Sequence, residues 1–475
     1  MNKILLFGVA GLLLTSCGAW NKNVRDKLYG KYERDNQRVE QLTQRLYRDT
    51  ADAATLAVSD TTSFGNMPWR EVFTDAKLQQ LIAKALTHNA DLRKTELTIQ
   101  QAEVGLRINR LAFLPQLAFS PQGTLSKAFV DGSELVKSYT LPLQASWQID
   151  AFGTLRNAKK QGELSVMQAK AGQQAARTAI VTGVANLYYS LQMLDEQLST
   201  TRATLKIWRR NVEVMKAMKQ AGMTNSASIA SADAQVLQIE STIPTLENNI
   251  RQLENSLCLL LHEEPHTIDR NAFADEQFPQ QVSTGVPLAL LANRPDVAIA
   301  EARLASAFYG VQGARGAFFP QLTISAQGAF TNSLGGMILN PGKFLAAGVA
   351  SLTQPLFAQG KLRGNLEISK LQAESAQLDF ETALLTAGKE VSDAMAQYHT
   401  AQQLTEISQQ RLKQLEKANS DTEVLFRNGN TTTYLETLTA QMNLLNGQLA
   451  LINQRYEKIQ AGIALYKALG GGREQ

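Results

Sequence analysis

Hydrophobic positions along the chain follow two different periods, and the switches between them mark its parts. From Ala76 to Ala112 apolar residues return every three or four positions, as in Leu78, Leu81, Ile82, Ala85 and Leu86, and the spacing reappears between Arg294 and Ala317. Both stretches predict amphipathic helices. Each should stop near a proline, Pro115 in one case and Pro320 in the other. Beyond the prolines the period falls to two. Leu117, Phe119, Pro121, Gly123 and Leu125 alternate with Ala118, Ser120, Gln122, Thr124 and Ser126, and the runs from Tyr139 to Asp150 and from Leu322 to Thr331 alternate in the same way. With a less regular stretch near Thr353, the pattern predicts four strands, at about 116–126, 138–150, 321–331 and 343–354.

After each strand pair the chain turns to a long proline-free stretch, Gly153 to Gly222 and then Gly360 to Gly429, rich in Ala, Gln, Leu and Lys. As a helix at ~1.5 Å per residue, either would run about 100 Å. A rod of that length fits an extended coiled-coil-like bundle, in which Ala373, Ala376, Ala383, Ala387 and Ala394 let neighbours approach closely. Each rod closes on a glycine suited to a helix C-terminus. Thr224, Asn225 and Ser226, or Thr431, Thr432 and Thr433, can then start a returning helix. The returning helices should reach about Leu261 and Leu469. They are shorter than the rods, so the helix that opens each half is expected to stack end to end with one and cover the rest.

The two halves also match residue by residue. Asn89-Ala90-Asp91-Leu92 answers Arg294-Pro295-Asp296-Val297, and Phe113-Leu114-Pro115-Gln116 answers Phe318-Phe319-Pro320-Gln321, both at an offset of 205. Gly153 and Gly222 answer Gly360 and Gly429 at an offset of 207. Order, spacing and residue type agree together, which points to an internal duplication. The expected organisation is a first repeat over 68–280, a second over 281–469 and a flexible tail at 470–475 that includes Gly470, Gly471 and Gly472.

The N-terminus changes where such a chain belongs. Lys3, the apolar run Ile4 to Leu14 and the sequence Leu14-Thr15-Ser16-Cys17 form a secretory signal. The small residues before Cys17 fit lipoprotein processing, which leaves an acylated cysteine as the new N-terminus; an ordinary signal that contains a cysteine is the alternative. The reading is a signal over 1–16 and a lipid-anchored linker over 17–67. Strands of about ten residues, apolar on one side and polar on the other, suit an outer-membrane barrel, although a soluble sandwich would alternate likewise. Strand number then becomes decisive. About eight strands are needed before a barrel closes on filled side chains, and open edges are not tolerated in lipid. Four strands in a membrane therefore require several chains to share one barrel.

Composition adds exclusions. Lys and Arg number 47 against 43 Asp and Glu, giving a formal charge of +4 spread along 475 residues. That balance offers no footprint for nucleic acid. Cys258 is the only cysteine besides Cys17 and suits a small core position. His262-Glu263-Glu264-Pro265-His266 matches the zinc-protease pattern, but that chemistry needs both histidines one turn apart on an intact helix. Pro265 breaks such a turn, and the segment falls where the first returning helix should end. No metal, cofactor or catalytic residue is expected beyond a covalent lipid on Cys17, and the chain reads as no enzyme.

The residues resemble the outer-membrane efflux factor family, the TolC-like exit ducts, in its lipoprotein branch. The matching features are Pro68-Trp69-Arg70-Glu71-Val72-Phe73, Asn89-Ala90-Asp91-Leu92, Gly285-Val286-Pro287, Arg294-Pro295-Asp296-Val297, both Phe-Pro helix ends and Tyr434-Leu435-Glu436-Thr437-Leu438. They span most of the chain from Trp69 to Leu469. The resemblance implies a mainly helical fold with membrane strands: a homotrimer with a twelve-stranded barrel, continuing into a periplasmic helical barrel. It implies a passive duct of a tripartite efflux system, partnered by a periplasmic adaptor and an inner-membrane transporter of the RND type. A duct for type I protein secretion and a lipid-anchored coiled-coil scaffold or adhesin are the alternatives. By the same resemblance the tips at Gly222, Met223 and Thr224, and at Gly429, Asn430 and Thr431, meet the adaptor. Leu435, Glu436 and Thr439 fall at the pore constriction, with Thr439 where relatives often carry an aspartate.

Overall fold

The computed structural model describes residues 67–126, 135–222, 224–273, 294–331, 344–428 and 433–472. A short α1 (Trp69–Val72) leads into α2 (Ala76–His88) and α3 (Ala90–Leu111). The periodic stretch expected as one helix is thus two, and Asn89 is the reason. Its backbone is extended, and its side-chain oxygen accepts from the amides of Asp91 at 2.9 Å and Leu92 at 3.1 Å. A short polar side chain that caps the next helix ends the previous one.

The strands follow: β1 (Gln116–Phe119), β2 (Gln122–Ser126) and β3 (Val136–Ile149) in the first half, β4 (Gln321–Thr331) and β5 (Phe344–Thr353) in the second. The strand expected over 116–126 is interrupted at Ser120 and Pro121, because proline brings no amide to the ladder. All pairs are antiparallel, in the order β1 and β2, then β3, β4 and β5. The register does more than join them. Phe119 pairs with Leu143, Leu143 with Gly328 and Gly328 with Ala346, while Leu117, Ala145, Ala326 and Gly348 form the adjacent row. Direct partners lie on one side of a sheet, so the apolar positions of every strand merge into a single face. Leu117, Phe119, Leu143, Ile324, Phe330 and Leu352 are exposed on it. Gln144 pairs with Gln327 and Ser146 with Ser325 on the opposite, polar face.

The rods are α4 (Thr154–Gln220) and α7 (Lys361–Arg427), of 67 residues each. Their returning helices are α5 (Ser226–Leu261) and α8 (Tyr434–Ala468), and α6 (Pro295–Gly316) opens the second half. Near the strands α3 packs on α4, α4 on α6 and α6 on α7; toward the tips α5 packs on α4, α4 on α8 and α8 on α7. Both levels are rows four helices wide. Among the described residues no helix is long and apolar enough to cross a membrane.

The expected end-to-end stacking is present in both halves. Asn89 donates to the carbonyl of Leu260, in the last turn of α5, at 2.8 Å. Arg294 donates to the carbonyl of Ala468, the last residue of α8, at 2.8 Å. Around these joints lies the largest core, with Phe73, Tyr188, Tyr189, Phe273 and Tyr466 buried in it. After α5 the chain crosses this level as a strap. Arg270 bonds Asp195 of α4 through two nitrogens and Glu254 of α5 at 2.6 Å. Burial opposes its charge, but the paired carboxylates hold the guanidinium above its ordinary range. Cys258 is buried here, as expected.

One expectation is corrected at the C-terminus. Gly470, Gly471 and Gly472 are docked, not a flexible tail. Thr178 donates to the carbonyl of Gly471 at 2.7 Å, and the amide of Gly472 donates to the Tyr466 hydroxyl at 2.7 Å. A Cβ on Gly471 would collide with the Tyr466 ring. The glycine run serves close approach, which composition alone makes look like slack.

Candidate gate at the helix tips

At the first tip α4 ends on Ala221, and Gly222 turns the chain with a left-handed φ of 76°. Asn225 then caps α5, its side chain accepting from the Ser228 amide at 2.9 Å. At the second tip Thr433 and Glu436 form a reciprocal capping box: the Thr433 amide donates to the Glu436 carboxylate at 3.0 Å, and the Glu436 amide donates to the Thr433 hydroxyl at 3.4 Å. Glu436 therefore has a local duty at the start of α8. Leu435 is 68% exposed, and Thr439 lies one turn further on, donating to the Leu435 carbonyl at 2.9 Å. The two share a helix face. Of the other positions expected at a site, Cys17, Met223, Gly429, Asn430 and Thr431 lie outside the described residues.

Two contacts that the pattern of the sequence did not single out bind one hairpin to the other. The Tyr434 hydroxyl donates to the Asn211 carbonyl at 3.0 Å, and the Asn211 side chain donates to Gln441 at 2.6 Å. Burial pushes the Tyr434 hydroxyl up to about 12, so it stays a donor near neutral pH. Its place directly after the cap Thr433 was the available signal. A cleft of about 870 Å³ opens beside these contacts, between α4, α5 and α8. Trp208, Met215 and Met442 line it, as do Leu435 and Thr439. The first tip's Thr224 reaches the same cleft, so the structure brings together one residue expected to meet the adaptor and two expected at the constriction.

The motif resembling a zinc protease has no such geometry. α5 stops at Leu261, His262 takes a left-handed φ of 60° as its cap, and His266 turns back toward Cys258. Among the described residues no group of three or more possible ligands is placed to hold a metal ion.

The family model for outer membrane efflux proteins matches residues 81–262 and 286–471. The chain belongs to the outer membrane efflux protein family. Its two matched stretches each carry helices, a strand pair, a rod and a returning helix, apart from the residues outside the description. The cation efflux system protein CusC of Escherichia coli O6:H1 is 26% identical over 418 residues, covering 87% of this chain and 90% of CusC. The probable outer membrane lipoprotein SilC of Salmonella typhimurium is 25% identical, covering 86% of this chain and 89% of SilC. A crystal structure of CusC superposes with a TM-score of 0.80 at 25% identity, covering 86% of this chain and 95% of that one. This efflux family member is thus an outer-membrane protein whose relatives are channel components and not enzymes.

Proposed function

We propose that three copies of this chain form one passive exit duct, held to the outer membrane by a lipid on Cys17 and fed by a periplasmic adaptor and an RND-type inner-membrane transporter. The observation that carries the trimer is a double set of open edges. The sheet ends on β1 and β2 at one side and β5 at the other, with its apolar face uncovered. The upper helix row ends on α3 and α7, and both carry exposed apolar stripes: Leu97, Val104, Ile108 and Leu111 on one, Leu371, Leu378 and Leu385 on the other. Spacings of seven, or of three and four, are coiled-coil seams awaiting a neighbour. One closure satisfies strands and helices alike. Joining β5 of one copy to the β1 and β2 edge of the next keeps the antiparallel order and, with β1 and β2 as one interrupted strand, gives twelve strands from three chains, with α7 beside the next copy's α3. The polar face, with Gln144, Gln327, Ser146 and Ser325, then lines the lumen.

Gating follows from the tips. Swinging α8 from α4 breaks the Tyr434 and Asn211 bonds, and Leu435 and Thr439 move with α8. Each neutral bond contributes about 1 kcal/mol, a barrier that a docked adaptor can supply. The signal before Cys17 and the likeness to SilC support the lipid; the absence of any catalytic constellation in the sequence and the nature of the relatives support a conduit without chemistry. Purified protein in detergent should have the mass of three copies and conduct in planar bilayers, with Y434F conducting more than wild type. A stable single-copy species without conductance would overturn the duct.

A further inference from the structure

The duplication makes the chain its own template for the seam between copies. α3 and α6 both have 22 residues and correspond at an offset of 205, while α4 and α7 both have 67 and correspond at 207. In the upper row α4 packs on α6 within the chain, so the same packing, repeated, sets α7 against the α3 of a next copy. The joint inside the chain is close. The Gln161 side-chain nitrogen lies 3.1 Å from the point where a Cβ on Gly310 would stand and donates to the Ser306 carbonyl at 3.1 Å, and the Asn157 Cβ is 4.0 Å from the corresponding point on Gly313. Two glycines of α6 thus receive two polar side chains of α4.

Shifted by the two offsets, Gln161 and Gly310 become Ile368 and Gly105, and Asn157 and Gly313 become Gly364 and Ile108. All four stand open in a single copy. Ile368 is 53% and Ile108 62% exposed, and a Cβ on Gly105 or on Gly364 would meet nothing within 4 Å. Each pair again sets one larger side chain against one glycine, although in the second pair the larger residue has changed sides. We propose that Ile368 of one copy seats over Gly105 of the next, whose Ile108 seats over Gly364 of the first, so that this face of α7 recognises the α3 of a second copy of this chain in that one register. Both contacts are apolar where the joint within the chain is polar. Neither strands a polar side chain, and each removes apolar area from water. The pairing is head to tail, the kind that closes a ring. It names the contact surface of the trimer proposed above and rests on that reading.

The test uses the full-length protein in detergent, with cysteine pairs, mild oxidation and a denaturing gel run without reductant. The Asn157 and Gly313 geometry sets Cβ positions 4.0 Å apart, inside the range of about 3.5–4.5 Å that a disulfide needs. I108C/G364C should therefore form covalent dimers and trimers, and either single variant should form no more than wild type. The pair I108C/L371C uses the same two exposed faces but lies two turns out of register, about 10 Å along the helix, and should give about tenfold less. A Cβ on Gly105 meets nothing in its own chain, so G105I leaves the subunit fold intact. It fills the seat of Ile368 and should lower the temperature at which the trimer separates, and I368A in the same background should raise it again. Equal cross-linking by the two double variants, none from trimeric protein, or a G105I trimer as stable as wild type would overturn this register and leave the trimer standing. A single-copy species would remove the duct and the seam together.

Discussion

Two joints, one in each half, tie the start of an upper helix to the end of a returning helix, and they use different chemistry. At the first, Asn89 does everything with one neutral amide: its oxygen caps α3 and its nitrogen grips the Leu260 carbonyl. At the second, Arg294 has no acceptor and caps nothing. Pro295 at the first helical position removes one amide that would need a cap. Arg294 instead holds Asp296 through two nitrogens, at 3.0 and 2.8 Å, bonds Glu390 of α7 and donates to Ala468. The neutral joint links two helices; the charged joint adds a third, the rod α7. Duplicated sequence has kept the task and changed the means, so the second hairpin is pinned through charge and the first through a cap and the Arg270 strap.

Breaking the charged joint should cost most. R294M leaves two carboxylates without their partner and the Ala468 carbonyl without a donor. A fully buried pair would lose about 3–5 kcal/mol, but Asp296 and Glu390 are 48% and 49% exposed, so about 2–3 kcal/mol is expected as a lower urea midpoint. N89A should follow at about 1–2 kcal/mol, the range for a lost cap with one further hydrogen bond. N89S sharpens the comparison, because serine also caps but has no amide to reach the Leu260 carbonyl; a midpoint as low as that of N89A would show that the grip matters more than the cap.

The smallest effect is a pH dependence peculiar to the second joint. Burial works against ionised Asp296, but hydrogen bonds from Arg294 and its charge outweigh that and hold the carboxyl below the usual range. A depressed carboxylate stabilises fully above its unfolded value of about 4 and loses that contribution as pH falls through the lower folded value. Wild type should lose part of its stability on that acid limb. D296N should flatten it while N89A leaves it unchanged. Parallel acid limbs for wild type and D296N would remove the charged joint as the cause.

Much of this is legible in the amino-acid sequence. Period two located the strands within a few residues, because burial on one face leaves its mark at fixed spacing, and long proline-free runs closed by glycine located the rods equally well. The break at Asn89 was not legible, since the apolar spacing carries straight through it and only cap geometry ends the helix. The glycine run after Leu469 misled for a related reason: composition cannot separate a loose end from one packed on Tyr466. At the tips, Gly222 and the cap Thr433 were readable from local rules, whereas Trp208 joined Leu435 and Thr439 only when α4 and α8 came together.

The sequence by itself determined the duplication, the rods, the strands and their apolar sides, since each depends on residues near one another along the chain. Tertiary structure alone decided which helices form the two rows, how the strand registers merge four apolar sides into one face, and which groups meet at the joints and in the cleft. Those outcomes depend on contacts between residues hundreds of positions apart, Thr178 with Gly471 or Tyr434 with Asn211, and no local spacing encodes such a meeting.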